Sequence, residues 1–274
     1  MNRVLRTIAS VALIASALSV SAQEKTIVFA DWNIRSFEKG YGNSQTLVPV
    51  DEYVDFIKTF NADIITFNEF ETVSSRQGAE KMAEVAKELG MFGYFIESYP
   101  KGGDGFYGNV ILSKWPIINT ASRQMTYKNN KGDGNYQFNV DPELEQYGAD
   151  QRSVGYADIL VPVSATESKI LRVVSSHFDH MGAESVRTRQ ASESVEFAGL
   201  ANPPYPTVMM GDLNTSSGSV LQPIFAVGDH IGYFFVDHVF TFPKGKFTKV
   251  DWKSPNPGPL SDHNPVIATL KVTL

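Results

Sequence analysis

The chain has 274 residues, no cysteine and a formal charge of -6 at pH 7. Without thiols, disulfides and thiolate metal sites are excluded, so stability has to come from burial, which a chain of this length can supply in one large core. The acidic balance offers no electrostatic footprint for non-specific nucleic-acid binding, although a bound divalent cation can offset carboxylates locally.

Residues 1–22 read as an export signal. Arg3 and Arg6 make a basic start, Ile8 to Val20 is apolar, and Val20-Ser21-Ala22 resembles a small-residue cleavage site. The apolar run is short of the roughly 20 residues that a membrane span needs, and no cysteine follows it for lipid attachment. A secreted or periplasmic protein is expected, with no stable membrane anchor, acting as a monomer. Residues 23–274 are expected to form one catalytic domain.

Lys25 to Ala30 is a β-rich run that ends at Asp31-Trp32-Asn33-Ile34-Arg35. Asp51 to Phe60 carries Tyr53, Phe56, Ile57 and Phe60 at the spacing of a helix with one buried face, with Asp51 as its expected cap. Asn61-Ala62-Asp63 breaks that helix. Ile64 to Phe67 then reads as a buried strand leading to Asn68-Glu69-Phe70-Glu71. A second helix is expected over Gln77 to Leu89, closed by Gly90. Phe92 to Ile96 and Gly108 to Ser113 read as paired strands around the Lys101 to Gly105 turn. Asn119 to Gln151 is polar and rich in Asn and Gly, so a functional or mobile loop is expected there.

Strands resume at Val154 to Val163 and Ile170 to Ser175, the second ending at Ser176-His177-Phe178-Asp179-His180. Glu184 to Leu200 reads as a third helix, stopped by Pro203-Pro204-Tyr205-Pro206. Thr207 to Met210 is a buried strand that ends at Gly211-Asp212-Leu213-Asn214. Tyr233 to Phe242 and Asn264 to Leu274 are strand-like, and Ser261-Asp262-His263 precedes the last of them. No internal repeat or domain boundary is visible. Two sheets covered by helices fit this order better than one parallel sheet.

Five strand ends therefore carry short polar motifs. Oxygen ligands suit a hard cation such as Mg²⁺, which uses one or two carboxylates and substrate phosphate. Glu69 and Asp262 are the expected metal ligands, with Asn33 as a neutral amide for the ion or a phosphate oxygen. Asp212 and Asn214 are placed to orient, and Asp212 to deprotonate, an attacking water. His177 and His263 can donate to phosphoryl oxygens as charge builds. Asp237 is the expected partner of His263, since a neighbouring carboxylate favours the protonated imidazole. Arg152 is expected to clamp a phosphate from the rim.

These residues resemble the metal-dependent endonuclease/exonuclease/phosphatase superfamily, which includes deoxyribonuclease I, abasic-site endonucleases and sphingomyelinases. The resemblance runs over about residues 25–274. It covers Trp32-Asn33-Ile34, Phe67-Asn68-Glu69 (Leu-Gln-Glu in the usual pattern), Gly108 to Ile117, Ser176 to His180 with Arg187 to Gln190, Gly211 to Asn214, Val236 to Phe240, and Ser261 to Val266. It implies an α/β fold of the α+β kind: a four-layer αββα sandwich, its two central, mostly antiparallel sheets flanked by helices. It also implies in-line attack of water on phosphorus with Mg²⁺ or Mn²⁺ assisting.

Each motif alone is weak: a Gly-Asp-x-Asn after a strand is more often a turn. The ordered set is what points to a hydrolase. A phosphate ester is the expected substrate. Nucleic acid stays open without support from charge, as does a sphingomyelinase-like lipid diester. A non-catalytic binding module on the same fold and a two-carboxylate glycosidase are the readings from other classes. The first conflicts with a complete set of catalytic residue types, and no carboxylate pair is singled out for the second. Glu71 is expected at the surface or supporting the site, and His238 beside Asp237. His230 is expected in a loop, and Tyr41, Tyr107, Tyr127 and Tyr136 are possible groove-lining rings.

Overall fold

A computed structural model describes residues 23–39, 46–47, 49–73, 80–101, 105–125, 151–180 and 184–274. Tyr41, Tyr127 and Tyr136, the export signal and most of the polar segment after Asn119 lie outside the described residues.

Two six-stranded sheets pack face to face. The first contains β1 (Glu24–Asn33), β4 (Ile64–Glu71), β5 (Phe92–Pro100), β6 (Phe106–Ser113), β13 (Phe247–Lys253) and β14 (Val266–Thr273), in the order β13-β14-β1-β4-β6-β5. The second contains β7 (Ile117–Gln124), β8 (Ser153–Pro162), β9 (Ser168–Ser176), β10 (Thr207–Asp212), β11 (Asp229–Phe234) and β12 (Asp237–Phe242), in the order β11-β12-β10-β9-β8-β7. A small ribbon pairs β2 (Glu38–Lys39) with β3 (Thr46–Leu47). Each large sheet has one parallel pair near its middle, β1 with β4 and β9 with β10. Their carboxyl ends therefore emerge at one end of the sandwich, where βαβ-type crossovers leave polar loops.

Three apolar layers define the four-layer order. Ile27, Phe29, Ile64, Ile111, Leu171, Val173, Val208 and Val239 fill the space between the sheets. Trp32, Phe67 and Phe70 face the opposite way, onto Tyr53, Val54 and Ile57 of α1 (Val50–Lys58) and Val85 of α2 (Lys81–Leu89). Val174, Met209 and Phe240 meet Ala191 and Ala198 of α3 (Glu184–Ala198) and Ile224 of α4 (Gln222–Val227). This is the αββα sandwich expected from the sequence.

Several local expectations need correction. Pro49, not Asp51, precedes α1, and Asp51 lies in its first turn, where its carboxylate accepts from Glu52 N–H. Asn119 to Gln124 belongs to edge strand β7 and not to a loop; its half-exposed side chains leave no apolar alternation. Tyr233 to Phe242 is not one strand but the hairpin β11–β12, with His230 in β11. Glu71 is fully buried at the end of β4.

Candidate active site

Side chains alternate between sheet faces, and this alternation builds the site. On the face toward the other sheet, β1 presents Ile27, Phe29, then Asp31 and Asn33. β4 presents Ile64, then Thr66 and Asn68. β9 presents Leu171, Val173 and Ser175 and runs on to His177, while β10 presents Val208, Met210 and Asp212. β12 runs the other way and begins with Asp237 before Val239. The space between the sheets thus changes from apolar to polar at a single end.

Two backbone features refine this. β4 bulges between Phe67 and Phe70, with Glu69 at φ +55. The extra residue keeps Phe67 and Phe70 on the helix-facing core and turns Asn68 and Glu69 together toward the site. Gly211 has φ +154 and passes against the Ser176 carbonyl, where a Cβ would collide with it. Glycine is therefore required one residue before Asp212.

Asp212 is the hub. Its Oδ2 accepts from Asn33 Nδ2 at 3.0 Å, and its Oδ1 accepts from Asn214 N–H at 2.9 Å. Its own N–H donates to Asn68 Oδ1 at 2.8 Å, and Asn68 Nδ2 donates to Asn109 Oδ1 at 3.0 Å. Nε2 of His177 and of His263 lie 3.5 and 3.7 Å from Asp212 Oδ2. His263 Nδ1 is 2.8 Å from Asp237 Oδ2, and the His263 carbonyl accepts from Trp32 Nε1 at 2.9 Å.

Arg152 settles the protonation of His177. Its guanidinium NH1 can only donate, so Nδ1 of His177, 2.9 Å away, must accept. Asn214 Nδ2 donates to the Phe178 carbonyl at 2.9 Å, so it need not donate to His177 Nε2, which lies 3.1 Å away. The proton of neutral His177 is therefore on Nε2, directed at Asp212. Burial, reinforced by the Arg152 charge, holds the His177 pKa well below its usual range.

His263 is the opposite case. Burial works against its proton, but the Asp237 bond and the charges of Asp237, Asp212 and Asp262 outweigh it and raise its pKa to about 10. Burial and the Asp212 charge push Asp237 up to about 7. Glu69 is raised by burial, against the charge of Arg152 and a hydrogen bond from Asn33. Asp31, buried beneath them and bonded to Thr66, is raised well above the carboxylate range by burial and by Asp237.

All nine site residues expected from the sequence converge here. Glu69, Arg152, Asp212, Asn214, Asp262 and His263 line one open cleft of about 340 Å³; Asn33, His177 and Asp237 bond directly to its walls. Asp262 is half-exposed on the outer wall, its carboxylate 4.0 Å from Arg35 Nε. Arg152 needs correction: it is 2 % exposed and forms the floor, not the rim, with His177, His180 and the Tyr107 hydroxyl around its guanidinium. His238 lies on the outer face of β12, where Nε2 meets the Thr215 carbonyl at 2.8 Å. Asn68, Asn109, Asp31 and Arg35 are site residues that motif reading does not assign. The signal for Asn68 and Asp31 is their polarity on the inward face of otherwise apolar strands.

Residues 32–263 match the sequence model of the Endonuclease/Exonuclease/phosphatase family. The chain belongs to that family. Searching the curated proteins for sequence relatives gave no match. Solved structures share the fold at low identity. An endonuclease/exonuclease/phosphatase from Bacteroides vulgatus aligns with TM-score 0.63 and 19% identity over 90% of this chain and 99% of that one. The human Nocturnin catalytic domain with bound sulfate aligns with TM-score 0.63 and 14% identity over 89% and 93%. D. rerio TDP2 with a single-stranded DNA product aligns with TM-score 0.59 and 10% identity over 89% and 98%.

Proposed function

We propose that the protein is an exported, divalent-metal-dependent phosphoesterase that hydrolyses a phosphate ester by in-line attack of water. The observation that carries this reading is Asp212: a buried carboxylate oxygen ringed by the Asn33 amide and the Nε2 atoms of His177 and His263. A carboxylate held this way accepts a proton from water, while the histidines donate to the oxygens that gain charge on phosphorus. His263 brings a positive charge and His177 a neutral donor, and Arg152 adds fixed positive charge beneath both.

Glu69 and Asp262 would hold Mg²⁺ or Mn²⁺; Asn33, expected as a further ligand, instead turns its amide nitrogen to Asp212 and Glu69 and its oxygen to Arg35 N–H. Both carboxylates are hard oxygen donors, and a cation there would offset the Glu69 charge, which its surroundings disfavour. When bound, the ion would neutralise phosphate charge and polarise the P–O bonds. The ligating atoms of Asp212, Asp237 and His263 also lie within 4.8 Å of one another. That trio works better as a proton-holding network, because His263 Nδ1 is already engaged by Asp237. The sulfate and DNA product held by fold neighbours support a phosphate-ester substrate class. Export rests on residues 1–22 alone, and monomeric action is part of the same proposal.

The test is a panel of bis-p-nitrophenyl phosphate, p-nitrophenyl phosphate, DNA, RNA and sphingomyelin with Mg²⁺, Mn²⁺ or EDTA. Metal-dependent turnover of at least one ester is expected. Silence on all of them, with a folded protein, would point to a binding module.

A further inference from the structure

The turn of the β11–β12 hairpin places an aromatic ring where neither burial nor backbone preference asks for one. Phe234 pairs with Asp237, so the connection is the two-residue turn Phe235-Val236. Phe235 has φ +53. Tight hairpin turns require positive φ at the first central position, and glycine normally supplies it. A bulky residue there is strained, and such strain persists where the surrounding structure enforces it, typically at functional positions.

The surroundings do enforce it. The Val236 carbonyl accepts from Leu213 N–H at 2.8 Å, which ties the turn to the loop after Asp212. The next residue, Asp237, holds His263. Phe235 is nonetheless 74 % exposed, the highest value for a large apolar side chain among the described residues, and it packs edge-on against Phe234. Beside it lies a hollow of about 250 Å³ lined by Phe234, Phe235, Val236 and Asn264, with Asp262 and His263 as the wall it shares with the catalytic cleft. No Lys or Arg lines this hollow, and Asp262 disfavours a second anion there.

We propose that Phe235 is a substrate-binding platform, stacking against a planar, uncharged aromatic group esterified to the phosphate at His263. The inference rests on the phosphoesterase reading for where phosphorus sits, and it narrows the substrate to esters with a flat ring. The strained turn holds the ring in place before the substrate arrives.

The experiment compares phenylphosphonate with methylphosphonate binding, in Mg²⁺, to the wild type, Phe235→Gly and Phe235→Tyr. One stacked ring contributes on the order of a tenfold preference. Wild type and Phe235→Tyr should therefore bind the phenyl compound about tenfold tighter, and in Phe235→Gly the two should bind equally. Glycine suits the turn, so the melting temperature of Phe235→Gly should equal or exceed that of the wild type. A preference that persists in Phe235→Gly overturns the proposal. So does a melting temperature several degrees lower, which would make Phe235 a packing residue. Hydrolysis of bis-p-nitrophenyl phosphate is scored separately. No turnover of that diester or of any other ester in the panel above, with the preference intact, removes the phosphoesterase reading and leaves the platform; turnover without any wild-type preference does the reverse.

Discussion

Asn33 donates to Asp212 at 3.0 Å, joining the last residue of β1 in one sheet to the last residue of β10 in the other. The bond crosses the polar end of the central core and fixes which carboxylate oxygen faces the histidines. Asp212→Asn keeps an oxygen for Asn214 N–H but turns an NH2 toward Asn33 Nδ2 and the histidines, so the fold should hold at a lowered melting temperature. It removes the proposed proton acceptor, and loss of a positioned base lowers turnover at least about a hundredfold. The check is kcat beside the melting temperature; near-normal kcat in a folded variant would move the base elsewhere.

Asn68 makes a second tie between the sheets through Asp212 N–H and Asn109. Asn68→Ala leaves a buried N–H and a buried amide oxygen without these partners. Each unsatisfied group costs roughly 1–3 kcal/mol. Urea denaturation should show a loss of about 2–4 kcal/mol, on the same scale, together with reduced activity because Asp212 is no longer anchored. An unchanged urea midpoint would show that water replaces the amide.

The pair His263–Asp237 predicts a pH dependence. Burial opposes the His263 proton, and the Asp237 bond and surrounding carboxylates raise its pKa to about 10. Activity that depends on this proton should be flat on the alkaline side up to about pH 9. Asp237→Asn removes the charge, so the alkaline limb should move down toward the ordinary histidine value near 6.5, and kcat should fall. The readout is the kcat profile between pH 6 and 9; an unmoved limb would separate Asp237 from His263.

His238 predicts a stability change unrelated to catalysis. Burial lowers its pKa to about 4 in the fold, against an ordinary 6.5. Between those values the unfolded chain binds the extra proton, so stability is complete above about 6.5 and is lost as pH falls toward 4. From pH 7 to 5 the loss from this group is about 2 kcal/mol. His238→Gln keeps a donor for the Thr215 carbonyl and cannot titrate. Its urea midpoint should drop less than the wild-type midpoint over that interval, and an equal drop would discount His238.

How far the sequence could be read follows from where its signals are local. β1, β4, β9 and β10 are short apolar runs cut off by polar motifs, so their ends and Asn33, Glu69, His177 and Asp212 are visible along the chain. The β11–β12 turn is hidden because Phe235 stands where a glycine would announce it. β7 and β13 are edge strands with exposed faces, and polar side chains in β7 and charged ones in β13 mask their period. Along the chain Arg152 looks like a rim residue, because its true neighbours, Tyr107, His177 and His180, come from distant segments. Only the fold brings them together.

In the proposed reaction Glu69 helps hold a divalent cation for ester hydrolysis at Asp212. The direct measurement is a Mg²⁺ titration of bis-p-nitrophenyl phosphate hydrolysis by wild type and Glu69→Gln. Losing a carboxylate ligand from a hard-cation site should raise the half-saturating Mg²⁺ concentration at least about tenfold, and EDTA should abolish turnover in both proteins. Superimposable titrations, or hydrolysis that survives EDTA, would contradict the account.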